Sequence, residues 1–239
     1  MKFIINLLIL ILCLTLFSCA ARIDGALAAD GSAQLSVRMS LEAGVTALIQ
    51  RLSSAAGQQG QPVLDGPALA RSLTSAPGIS SVSFRNTSVS AIEGQVRISR
   101  ISDFLASADT ERDARRRFIT FEQGRSGGRC AVTINRENGH VMLDFFSSEI
   151  ADYLNALMAP IATGDEMTKP EYLELVASFY NRNIANEIAS TRIRVAIDFP
   201  GTITNVRGGT FSGRRASFDI PVLDLLVLET PLVYEVTWN

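Results

Sequence analysis

The segment Arg192-Ile193-Arg194-Val195-Ala196-Ile197-Asp198-Phe199 alternates apolar and polar residues with a period of two. That period puts Ile193, Val195, Ile197 and Phe199 on one side of an extended chain, and Arg192, Arg194 and Asp198 on the other. A strand with one wet face belongs to an antiparallel sheet whose apolar face is covered by something else. The pattern recurs. Leu232, Tyr234, Val236 and Trp238 alternate near the C-terminus; Val37, Met39 and Leu41 alternate with Arg38 and Ser40, and Val96 and Ile98 with Arg97 and Ser99. Strands are also expected over residues 22–28, 33–41, 79–84, 95–101, 118–122, 129–135 and 140–146. Turn chemistry separates them: Ala29-Asp30-Gly31-Ser32, Pro200-Gly201, Gly208-Gly209, and Asn138-Gly139, the strongest hairpin signal in the chain.

What covers the sheet is predicted to be helical. Val45, Leu48, Ile49 and Leu52 recur at helical spacing, and a short helix is expected to begin at Asp65 as N-cap and end near Pro77-Gly78. Ile150, Leu154, Leu157 and Met158 share a helical face. Thr168 followed by Glu171, with Pro170 in the first turn, is a capping box that opens a helix running to about residue 188. Tyr172, Leu173, Val176, Phe179 and Ile184 form its apolar stripe. The expected fold class is therefore α+β: an antiparallel sheet with two to four helices packed on one face. Residues 57–60 read as a flexible loop, and no internal repeat is apparent.

The first 18 residues stand apart. Met1-Lys2 is followed by an almost wholly apolar run, residues 3–17, interrupted only by Asn6 and Thr15. Such a run is short for a membrane-spanning helix and suits the apolar region of a secretory leader. It ends in Leu16-Phe17-Ser18-Cys19, which resembles the lipobox of bacterial lipoproteins, although Phe17 is bulkier than the usual residue there. The resemblance implies cleavage before Cys19 and acylation of that cysteine. Several acyl chains hold a protein firmly to a bilayer at roughly 0.8 kcal/mol per buried methylene. Residues 1–18 are thus expected to be a lipoprotein signal peptide and 19–239 a single envelope domain. Its place is the cell membrane or the outer membrane, facing the periplasm or the exterior.

Two stretches are similar to the LppM-like lipoprotein domain, a bacterial family. One is the start, with Cys19, a strand, Asp30-Gly31-Ser32 and a second strand; the other runs from Ile197-Asp198-Phe199-Pro200-Gly201 through Gly208-Gly209 to Phe218. Together they span about a quarter of the chain and consist mostly of turn chemistry. The resemblance implies an envelope domain that binds lipids or glycolipids, and it brings no catalytic residues.

Composition excludes several functions. A formal charge of −2, or −3 once Lys2 leaves with the leader, gives no general attraction to nucleic acid or anionic lipid. Cys13 departs with the leader and Cys19 is committed to lipid, so Cys130 has no intramolecular partner and a disulfide scaffold is excluded. The single histidine, His140, follows a turn with no second histidine to complete a zinc site, and reads as a surface hairpin residue. Gly124-Arg125-Ser126-Gly127-Gly128 lacks the Lys-Ser/Thr ending of a phosphate loop and reads as a hairpin. Arg112, Arg115, Arg116 and Arg117 are interleaved with Asp109, Glu111 and Asp113, as in a solvated helix end laced with ion pairs; Arg214-Arg215 is a smaller case. Cys130 alternates with Val132 and Ile134 and should be a small buried apolar residue.

No cofactor and no catalysis are expected, and the membrane, reached through N-terminal acyl chains, is the one expected partner besides a lipid or glycolipid ligand. Tyr172, Val176 and Phe179 on the helix and Val195 on the sheet are the candidate walls of a cavity for that ligand. The alternative is a structural or surface-interaction lipoprotein with a protein partner.

Overall fold

The computed structural model describes residues 19–55, 62–74, 76–107, 118–124, 127–139, 155 and 157–239, with backbone only at 19, 20, 55, 106 and 107. The expected leader, the loop at 57–60, the arginine-rich run at 109–117, and the strand and most of the helix expected over 140–156 lie outside the described residues.

Two sheets form instead of one. The larger takes β1 (Cys19–Leu27), β2 (Ala33–Ser40), β3 (Ile79–Ser88), β4 (Ala91–Ile98), β7 (Arg192–Asp198), β9 (Thr210–Ser212) and β10 (Arg215–Pro221), in the order β3-β4-β2-β1-β7-β10-β9. The smaller takes β5 (Ile119–Gly124), β6 (Gly127–Ile134), β8 (Ile203–Arg207) and β11 (Leu232–Trp238), in the order β5-β6-β11-β8. Every pairing is antiparallel except β1 with β7, where Ile23 lies opposite Val195 and Gly25 opposite Ile197 in parallel. Alternation within each strand reports its two faces but not its neighbours, so neither the parallel junction nor the second sheet is visible in the pattern. The hairpin expected at Asn138-Gly139 is corrected too. β6 already has β5 on one edge and β11 on the other, and Asn138 is instead buried in a tight turn, its Nδ2 donating to the Thr133 carbonyl at 2.9 Å.

Seven helices lie among the described residues, more than the two to four expected: α1 (Ala43–Ala55), α2 (Gly66–Thr74), α3 (Ile101–Ser107), α4 (Pro160–Thr163), α5 (Lys169–Phe179), α6 (Arg182–Ser190) and α7 (Val222–Val227). The Asp65 carboxylate accepts from the Ala68 N–H at 2.9 Å, and both bonds of the Thr168–Glu171 capping box are made. The helix expected from Thr168 to about residue 188 breaks in two. Asn181 adopts extended backbone (φ −175°) and its Oδ1 accepts from the Ile184 N–H at 3.0 Å, starting α6 afresh. The apolar spacing continues across the break, which is why the sequence hides it.

Two cores result. In the first, Leu48 of α1, Tyr172 and Val176 of α5, Ile184 and Ile188 of α6, and Leu223, Leu226 and Val227 of α7 pack with Leu157 and Ala159. These helices do not cover the strand 192–198 as expected. α1 leaves β2, α6 enters β7 and α7 leaves β10 at one end of the sheet, where Ala21 lies opposite Met39 and Ile193, and Pro221 opposite Arg192. The helices therefore pack largely on one another at that end. In the second core the far end of the large sheet meets the small one: Leu27, Phe199 and Ala216 pack against Ile203, Val236 and Trp238. The Trp238 ring lies 4.9 Å from Phe199 and 6.2 Å from Phe121, centroid to centroid.

One strand glycine is fixed by close approach. A Cβ on Gly94, in the middle of β4, would lie 2.1 Å from the Ser83 carbonyl oxygen and 2.5 Å from the Phe84 ring, which is draped over it.

Candidate functional site

Cys19 is the first residue of β1, opposite Arg192, so no spacer separates the expected acylation point from the sheet. β1 is the fourth of seven strands, and Cys19 therefore sits at the middle of one sheet end. Among the described residues no helix is long and apolar enough to cross a membrane.

The four candidate cavity residues are not brought together. Tyr172 and Val176 have no exposed surface at all, so neither borders a space that could admit even a water molecule. The Tyr172 hydroxyl donates to the Leu157 carbonyl at 3.3 Å, and burial pushes its pKa up. Val195 sits partly buried in β7, outside this core. Phe179, at the end of α5, is 65% exposed. It forms one wall of a groove of about 500 Å³ between α1 and α6, whose floor is Ala47, Leu48 and Ile184 and whose rim carries Arg51, Asn181 and Asn183. The contribution of α1 was missed in the sequence, because an apolar stripe reports that a helix is buried but not which helix it meets. At one end of the groove Glu187 accepts from the backbone N–H groups of Gly44 and Val45, each at 3.0 Å, and fixes α6 to the start of α1. The groove thus offers an apolar floor, an aromatic wall and a polar rim, an arrangement suited to a chain with a polar end.

The other candidates have structural roles. Cys130 is free and partly buried beside Val236 on β11, and burial pushes its thiol pKa up to about 11. The Arg214 guanidinium donates to the Phe199 carbonyl at 2.9 Å, and Arg215 bridges Asp198 at 2.7 Å and Asp24 at 2.8 Å. The glycine-rich segment joins β5 to β6, with Gly124 opposite Gly127. His140 lies outside the described residues. Among the described residues no three His, Cys, Asp or Glu side chains are placed to hold a metal ion.

No family model and no curated protein matches the chain. Among solved structures, the chain is similar to the folded domain of the LppM protein of Mycobacterium tuberculosis, determined by NMR. The TM-score is 0.43 at 8% sequence identity, over 93% of this chain and 91% of that one.

Proposed function

We propose that this chain is a bacterial lipoprotein held to a membrane by acyl chains on Cys19, and that its extracytoplasmic α+β domain is a non-enzymatic module binding a lipid or glycolipid. The leader and the Leu16-Phe17-Ser18-Cys19 motif support the anchor. The observation that carries the binding role is Phe179, a large aromatic side chain left 65% exposed over an apolar floor in the groove between α1 and α6. An aromatic so placed gains by covering an acyl chain, while Arg51, Asn181 and Asn183 at the rim can hold a polar headgroup.

Mass spectrometry of lipids retained by residues 19–239 tests this directly. Purification with a stoichiometric lipid that Phe179→Ser loses supports the reading, and a lipid-free protein that binds no fatty-acid probe overturns it. The second reading, a surface lipoprotein with a protein partner, is favoured by the other large exposed apolar residues, Val89 (59%) and Phe211 (48%), neither of which lines the groove.

A further inference from the structure

The wet face of the large sheet is an arginine surface, although the chain as a whole is acidic. Reading across the strands in register, one row runs Arg85, Glu93, Arg38, Arg22, Arg194, Asp219. A second, two residues on, runs Ser83, Gln95, Ser36, Asp24, Ala196, Ser217. A third holds Arg97, Gln34, Ala26, Asp198 and Arg215. Six arginines face four carboxylates, and all of them project from the same side.

The first row sets three guanidiniums side by side on adjacent strands, Arg38 opposite Arg22 and Arg22 opposite Arg194. Like charges directly opposite on a sheet destabilise it, so this arrangement is unfavourable unless anions relieve it. The available carboxylates relieve it in part. Asp24 accepts from Arg22 at 2.7 Å and from Arg215 at 2.8 Å, and is held below the usual carboxylate range chiefly by Arg22. Asp219 lies 3.5 Å from Arg194. Glu93, opposite Arg38, pairs with Arg85 on its other side, and Arg38 makes no ion pair among the described residues. Beside the row is a shallow hollow of about 710 Å³, bordered by Arg22, Arg194, Thr210 and Ser217 and also by the Asp24 and Asp219 carboxylates already paired with those two arginines, so the full positive charge of the row lies at Arg38 rather than in the hollow.

The geometry points to a second contact with the membrane: the wet face of the large sheet lies on the bilayer, with the Arg38–Arg22–Arg194 row on the phosphodiesters of anionic headgroups. The choice of the bilayer as the source of phosphate rests on the acylation of Cys19. Arg22 follows Cys19 by three residues of extended chain, roughly 10 Å, and Arg38 and Arg194 are its immediate neighbours. With no spacer before β1, the row stays within about one Debye length of the headgroups, where an arginine attracts anionic lipid. Arg192, two residues before Arg194 and opposite Cys19, is engaged otherwise: it donates to the Ala189 and Thr191 carbonyls at the end of α6. Guanidinium is suited to the task because its planar fork takes two phosphate oxygens at once.

The test uses residues 19–239, which hold every described element, with Cys19→Ser so that no acyl chain contributes. Sedimentation with vesicles of phosphatidylcholine, with and without phosphatidylglycerol, measures the contact alone. Binding is expected only to the vesicles with phosphatidylglycerol and is expected to weaken with salt. Arg38→Gln, which breaks no ion pair, should lower the partition coefficient about fivefold, and Arg22→Gln/Arg38→Gln/Arg194→Gln at least about tenfold. Equal binding to both vesicles, or a triple variant that is folded by circular dichroism and binds like the parent, overturns the proposal. Displacement from vesicles by excess inorganic phosphate at constant ionic strength also overturns it, since it marks a site for soluble phosphate. Failure of the anchor is read separately, by the absence of acyl label on Cys19 in the full chain.

Discussion

Glu187 of α6 caps α1 from more than a hundred residues away, accepting from the N–H groups of Gly44 and Val45 at 3.0 Å each. The first turn of any helix has backbone N–H groups without partners, and α1 has no acidic residue of its own in that turn. A carboxylate supplies both the acceptors and the negative charge that a helix N-terminus favours. Glu187→Ala should therefore lower stability by about 1–2 kcal/mol, measured by urea unfolding. Glu187→Gln, which keeps an acceptor but not the charge, should fall between. Gly44→Ala should reproduce part of the loss, because its Cβ would lie 2.7 Å from the carboxylate and push it away.

Filling the helical core should destabilise the protein. Val176 has no exposed surface, and Val176→Phe should cost about 1–3 kcal/mol with no effect specific to ligand. Phe179→Ser should leave the melting temperature nearly unchanged and weaken a fluorescent fatty-acid probe. The pair of variants separates the closed core from the open groove, and equal stability of the two would contradict it.

Cys130 should react slowly with thiol reagents in the native protein at neutral pH and rapidly in denaturant. Burial raises the thiol pKa to about 11, so the folded state disfavours the reactive thiolate. The same shift has a stability consequence with a definite sign. The folded state holds its proton more tightly than the unfolded chain, so this contribution is intact below about pH 8.5 and is lost as pH rises towards 11. Cys130→Val should flatten that alkaline decline.

Gly94→Ala should destabilise by roughly 1–3 kcal/mol, because the new methyl would meet both the Ser83 carbonyl and the Phe84 ring. Gly94→Ala combined with Phe84→Leu should recover part of the loss. No recovery would place the conflict on the carbonyl alone.

Cys19→Ser in the full chain should abolish acyl labelling and move the protein from the membrane fraction to the soluble envelope fraction. A wild-type chain that takes no acyl label would end the lipoprotein reading.

Local chemistry was legible before the fold was known. The alternation at 193–199 gave the two faces of β7, and Asp65 and Thr168 marked helix starts that the structure confirms. Relations between distant segments were not legible. Asn181 interrupts a stripe whose spacing runs on past it, so a capping residue looked like another exposed position on one helix. Tyr172, Val176, Phe179 and Val195 were grouped because a helix and a sheet each need a partner; each found a different one. Arg22, Arg38 and Arg194 are scattered in the sequence and become neighbours only through the register of three strands, so net charge gave no hint of a basic face.

The parallel seam between β1 and β7 also dictates the order in which this molecule can assemble. The first of these strands to be synthesised is completed by residues 192–198, which follow late in the chain. Until they arrive, the central strand of the sheet has one bare edge, and an edge of that kind invites pairing with other chains. The β1–β2 hairpin can close early, since Ala21 and Met39 are near neighbours in the chain, but the sheet as a whole waits for its C-terminal third. So much long-range pairing predicts slow folding, and chains truncated before Arg192 should be taken by proteases or aggregate while carrying an intact N-terminus.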